Sequence, residues 1–183
     1  MTQGVPPEGS SGTRPLTTEE IAALLRATAE SMRSELTGLA DDVASWRPAA
    51  GEWCIKECVG HMIETEEHGF AGRIRRILAQ PGCLETHWDP AQVVRDRGDE
   101  RRPLAELVEA FSEMRSNGIA LVEGLMNTDL VKSCTHEKVG VLSVEDLLHE
   151  WVPHDRNHYR QILANVQAYV RPWMGNAAGF AGM

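Results

Sequence analysis

The sequence predicts an all-α protein, specifically a four-helix bundle. Three observations predict it. Four long segments, each roughly twenty residues or more, carry apolar residues at helical spacing. No stretch shows the polar–apolar alternation of a half-buried strand, and no segment repeats. At 183 residues the chain is long enough for one domain with a real core.

Residues 1–16 are rich in Gly, Pro and Ser and are expected to form a disordered tail. The first helix begins in "LTTEEIAALLRATAESMRSELTGLA". Thr17 and Glu20, three apart, form a capping box, and Ile21, Leu24, Leu25, Thr28, Met32, Leu36 and Leu39 recur at helical spacing. This helix is expected to end near Ala40, and the linker "DDVASWRPAAGEW" is broken by Pro48 and Gly51. The second helix is expected over Cys54–Ala79, with Cys54 standing where Ser or Thr would cap better. Residues 80–102 contain Pro81, Gly82, Pro90 and Gly98 and read as a long connection with room for a short helical turn. The third helix is "PLAELVEAFSEMRSNGIALVEGLM", with Pro103 near its first position. The segment "NTDLVKSCTHEKVGVL" reads as a loop. The fourth helix opens at Ser143, places Glu145 and Asp146 in its first turn and runs to about Tyr169. Pro153 lies inside it and is expected to kink it just before His154. Residues 171–183 are expected to be a loosely held tail, which leaves 17–170 as the bundle.

Charge narrows the partners. The formal net charge is −9 and the pI about 5.2, so a nucleic-acid or anionic-membrane partner is not expected. No run of about 18 apolar residues exists, and the polar N-terminus lacks the hydrophobic region of a signal peptide, so a cytoplasmic location is expected. The four cysteines, 54, 58, 83 and 134, contain no CxxC pair. In a reducing compartment they read as free thiols acting as small hydrophobes.

Spacing separates the seven histidines. His154 and His158 are four apart, one above the other on a helix face. A helix can offer two imidazoles to one metal in this way, although "HDRNH" lacks the glutamate of an HExxH protease site. A catalytic metal usually takes three protein ligands and keeps an open position. The candidate for the third is His61 on the second helix, on a face with Glu57, Glu64 and His68 that suits a polar cleft or a solvated surface equally well. The bland alternative is a pair of hydrogen-bonded, partly buried histidines.

Two segments resemble a known family. "SWRPAAGEWCIKECVGHMIETE" is similar to the start of the DinB-like (DinB/YfiT) proteins. "THEKVGVLSVEDLLHEWVPHDRNHYRQI" resembles the family's second signature. The two occur in the expected order, and the resemblance covers about residues 17–170. It implies a four-helix bundle, often a homodimer, with a histidine triad that holds a divalent metal, zinc or nickel. The triad falls on His61, His154 and His158. Relatives include transferases that use low-molecular-weight thiols such as bacillithiol and mycothiol. The resemblance therefore implies a metal-dependent thiol S-transferase acting on a small-molecule substrate. The alternatives are a metal-dependent hydrolase and a non-enzymatic, metal-binding dimeric bundle. One departure is Cys54 where the family commonly has serine.

Glu57, Glu64, Glu150, Asp155 and Gln161 lie within about a turn of a ligand position and are candidates to orient the imidazoles. His68 is expected at the surface, and His136 in a structural role before the fourth helix. Trp53, Trp151 and Tyr159 are expected in packing. Arg73, Arg75, Arg76, Arg95 and Arg97 read as a solvated basic patch or as anion ligands.

Overall fold

The computed structural model describes residues 12–180. Residues 1–11 and 181–183 of the two expected tails lie outside the described residues. Helix α1 (Thr18–Leu36) starts at the capping box: Thr17 Oγ1 accepts from the Glu20 amide at 3.3 Å, and Glu20 Oε2 accepts from the Thr17 amide at 2.9 Å. It stops four residues before Ala40, because Gly38 takes a left-handed φ of 89°, which suits glycine and ends a helix. The linker then holds a short helix, α2 (Asp41–Ser45).

The expected second helix is two helices joined by a wide turn. α3 (Ile55–Glu64) passes into a π-helical turn (Thr65–Gly69) and then into α4 (Ala71–Ala79). At this turn a Cβ on Gly72 would stand 1.6 Å from the Glu67 carbonyl oxygen, so only glycine fits. The connection that follows is ordered. It contains β1 (Leu84–Glu85), α5 (Pro90–Arg97), capped by the Asp89 carboxylate, and a 3₁₀ turn (Asp99–Arg101). α6 (Leu104–Glu123) follows, with Pro103 at the N-cap rather than inside the first turn.

After α7 (Asn127–Leu130), the segment read as a loop forms β2 (Ser133–His136) and β3 (Gly140–Ser143). Together with β1 they make a three-stranded sheet in the order β1-β2-β3. β1 runs parallel to β2 with Glu85 opposite His136, and β2 runs antiparallel to β3. The all-α fold class stands, but the expectation of no strands does not. Strands of two and four residues are too short to display a period-two pattern. α8 (Val144–Val170) starts at Ser143, whose Oγ accepts from the Asp146 amide at 3.0 Å, and continues through Pro153. Two 3₁₀ turns, Arg171–Trp173 and Gly175–Phe180, end the described chain. No helix among the described residues is long and apolar enough to cross a membrane.

The core is split along the bundle axis. One apolar cluster takes Ile21 and Leu25 from α1, Ile74 and Ile77 from α4, Val122 from α6 and Leu147 and Trp151 from α8. The other takes Met32 and Leu36, Ile55, Val59 and Met62, Leu107 and Phe111, and Ile162. Each large aliphatic residue so buried contributes about 1.5–3 kcal/mol. Between the clusters, near the middle of each rod, lies a belt of buried polar groups: Thr28, Glu66, Arg115 and Asp155. Arg115 joins Glu66 and Asp155 within it. Its Nε donates to Glu66 at 2.6 Å, its NH2 to Asp155 Oδ1 at 3.1 Å, and its NH1 to the Leu25 carbonyl at 3.1 Å.

Candidate metal centre

The belt lies next to the histidines singled out by spacing. α3 carries His61, which is 4% exposed, and α8 carries His154 and His158, both half-buried. The ring centroids are 4.5 Å apart for His61–His158, 4.6 Å for His154–His158 and 5.3 Å for His61–His154. One nitrogen from each ring lies within 4.8 Å of the other two, so the three form a group that could hold a metal ion. Imidazoles from separate helices therefore converge, and the i, i+4 pair on α8 faces the single histidine of α3.

The donor set fits a divalent ion on two counts. His61 Nε2 and His154 Nε2 are 3.2 Å apart. Two nitrogens each about 2.0–2.1 Å from a tetrahedral zinc ion would be separated by about 3.3 Å. Secondly, the His61 and His154 Nδ1 atoms are buried without a hydrogen-bond partner. A cation accepting the two facing Nε2 lone pairs would place the ring protons on Nδ1, with the Asp155 carboxylate 3.7 Å from that of His154. The third ring is already oriented: His158 Nδ1 lies 3.2 Å from Gln161 Oε1, an acceptor that holds the proton on Nδ1 and frees Nε2. Burial, followed by its two histidine neighbours, lowers the pKa of His61 to about 3. Burial, followed by His154, lowers that of His158 to about 4. Both rings are thus neutral at pH 7, the form that ligates.

The centre opens into a cavity of about 490 Å³. Trp53, Phe70 and Trp88 give it aromatic walls. Trp53 packs against the second apolar cluster, as expected, and also borders the site, 5.1 Å from His61 and nearly parallel to His158 at 6.1 Å. Trp151 packs as well, fully buried and stacked on Phe70 at 5.1 Å.

The remaining candidates divide. Gln161 reaches a ligand-position ring, and Glu150 lines the cavity. The Asp155 carboxylate is 3.7 Å from His154 Nδ1 but is chiefly bound by Arg115. Glu57 caps α3, accepting from the Cys54 amide at 2.9 Å, and pairs with Arg47. Glu64 pairs with Arg97 at 3.1 Å and so ties the connection to α3. His68 is exposed, as expected. Arg76 and Arg97 are held by Glu85, Glu64 and Asp99. Arg73 lines the cavity but also pairs with Glu85. Cys54 and Cys58 are buried free thiols, and burial raises the pKa of both, that of Cys54 to about 11, so neither is a thiolate at neutral pH.

Sequence reasoning did not find Arg115, Glu66, His87, Trp88 or Lys138. Arg115 had one available signal, an arginine on the apolar stripe of the third helix between Phe111 and Ile119. The others are brought to the site by the sheet and the π-helical turn, for which there was no sequence signal.

Comparison with known proteins identifies the family and the fold. A family model described as the DinB superfamily matches residues 14–162. No curated protein matches the chain. Among solved structures, YfiT from Bacillus subtilis is similar with a TM-score of 0.75 and 14% identity, over 89% of this chain and 91% of that one. It is described as "a probable metal-dependent hydrolase with an unusual four-helix bundle topology". At that identity the likeness shows the fold.

Proposed function

The chain belongs to the DinB superfamily, and from that premise we propose that it is a divalent-metal-dependent enzyme that transfers a low-molecular-weight thiol to an electrophile. The observation that carries the proposal is the convergence of one nitrogen each from His61, His154 and His158 at the floor of an open cavity. A zinc or nickel ion held there by three neutral imidazoles would keep its full charge and lower the pKa of a coordinated thiol or water. The chain's own residues do the rest. Gln161 fixes the His158 ring, and Arg115 anchors Asp155 beside His154. Trp53, Phe70 and Trp88 shield the reacting groups from bulk water. The reaction forms a carbon–sulfur bond, breaks the bond from carbon to its leaving group and releases the thiol proton. Glu150 lines the cavity and is the carboxylate there to accept it.

Hydrolysis is the second reading, favoured by the description of YfiT and by the same open site. The test is turnover by metal-loaded protein of 1-chloro-2,4-dinitrobenzene with mycothiol, bacillithiol or glutathione, alongside a panel of simple esters and amides. The transfer reading expects turnover with at least one thiol and its loss in His61→Ala. Ester or amide cleavage without any thiol turnover would replace transfer by hydrolysis. Inactivity in every arm, with metal bound, would leave a non-enzymatic metal-binding bundle.

A further inference from the structure

One wall of the cavity carries positive charge and hydrogen-bond donors that a metal centre does not require, and the small sheet builds it. Glu85 on β1 is paired with His136 on β2, so the chain leaves the two parallel strands side by side. His87 and Trp88 follow β1, and Lys138 follows β2 in the turn to β3; all three line the cavity together with His136. The His87 and His136 rings lie 6.0 Å apart. The Lys138 backbone amide donates to His136 Nδ1 at 3.2 Å, which places that ring's proton on Nε2 and makes it a donor.

The Lys138 ammonium on this wall makes no ion pair among the described residues. The chain has three lysines. Lys56 pairs with Asp41 at 3.1 Å and Lys132 with Asp129 at 2.8 Å, whereas Lys138 is exposed and pairs with no carboxylate among the described residues. Glu85 is held by Arg73 and Arg76, and the Glu137 carboxylate accepts from the His87 amide at 2.6 Å rather than from the Lys138 ammonium. Glu150 is the one acid among the residues lining the cavity. An ammonium without an ion-pair partner, beside a ring N–H donor at the cavity, is the kind of feature that draws an anion to a site.

We infer that the wall is a carboxylate-binding subsite: the Lys138 ammonium and His136 Nε2–H receive the carboxylate of the substrate, whose apolar body lies against Trp53 and Trp88 and whose reactive end reaches the three histidines. This substrate class, a small organic carboxylate, rests on the metal-centre reading for its reactive end only. The subsite itself needs no metal.

The test is a titration of succinate, with the uncharged succinamide as control, into full-length protein as purified, followed by amide NMR shifts, with metal content measured on the same sample. Succinate is expected to shift amides at positions 136–140. Its affinity is expected to fall about three- to tenfold in Lys138→Gln and to return in Lys138→Arg. Succinamide is expected to bind neither variant nor the parent protein. His158→Ala is expected to retain succinate binding. Equal succinate affinity in Lys138→Gln, or equal binding of succinamide, would overturn the subsite whatever the metal content. Lys138-dependent succinate binding in protein that takes up no metal would uphold the subsite and remove the metal centre.

Discussion

Replacing Arg115 by methionine removes the one cation from the buried belt. Arg115 and Glu66 are each 1% exposed and Asp155 is 2% exposed, so none of the three regains water when the pair is broken. The substitution strands the Asp155 carboxylate, removes the donor to Glu66 and leaves the Leu25 carbonyl without its side-chain partner. Removing one member of a buried ion pair costs about 3–5 kcal/mol, because the remaining charge is left desolvated. The lost stacking of the guanidinium on Phe111 and Trp151, 4.9 and 5.5 Å away, adds to that cost. For a chain of this size each kcal/mol lowers the melting temperature by roughly 2–4 °C, so the expected drop is roughly 6–20 °C. Urea unfolding followed by far-UV circular dichroism gives the free-energy change, and a thermal melt gives the temperature. A triple variant, Arg115→Met with Glu66→Leu and Asp155→Leu, is expected to recover most of the loss, since apolar replacement of a whole buried network is often neutral. A loss below about 1 kcal/mol for Arg115→Met alone would refute the reasoning, because it would mean that water reaches the belt.

Three further outcomes are expected. His61 and His158 have folded pKa values lowered to about 3 and 4, so their unfolded rings take up protons first as pH falls. Metal-free protein should therefore be fully stabilised above the ordinary histidine pKa and lose stability from about pH 6.5 down towards 4. A His61→Gln, His158→Gln double variant should show a flatter stability profile over that window in urea titrations, and an unchanged slope would contradict the burial assigned to these rings. Glu66 runs the other way: burial raises its pKa to about 7, so its neutral form favours the fold and stability falls as pH rises from the ordinary carboxylate range to about 7. Relative to wild type, Glu66→Gln should be more stabilising at pH 8 than at pH 4, read from the difference in melting temperatures. Gly60→Ala would place a Cβ 1.9 Å from Asp99 Oδ2, a side chain held by Arg97 and Arg102. It should cost about 1–3 kcal/mol by overpacking, and a neutral effect in chemical denaturation would show that Asp99 moves freely.

The helices and the ligand histidines were legible in the sequence for different reasons. Thr17 with Glu20 and Ser143 with Asp146 mark helix starts through bonds local in sequence, and both form where spacing places them. His154 and His158 share a face because helix geometry makes residues four apart neighbours. His61 could be brought to them only by tertiary packing: the sequence offered it as the candidate third ligand on the second helix, on a face that suited a cleft or solvent equally, and the family resemblance placed it in the triad. The cavity wall was not legible. His87 and His136 meet because β1 and β2 pair over two residues each, which is too little for any pattern to show. The π-helical turn at Thr65–Gly69 was hidden inside a helical period that it scarcely disturbs, yet it rotates Glu66 inward to Arg115 while His68 stays in solvent.

The account's central claim is that residues 61, 154 and 158 jointly hold one divalent cation. Elemental analysis by inductively coupled plasma mass spectrometry, on dialysed wild type and on His61→Ala and His158→Ala, tests it most directly. The account predicts about one zinc or nickel ion per chain in wild type and a near-complete loss in both variants, each still folded by circular dichroism. Equal metal content in wild type and variants, or no metal in the wild type after loading, would contradict it.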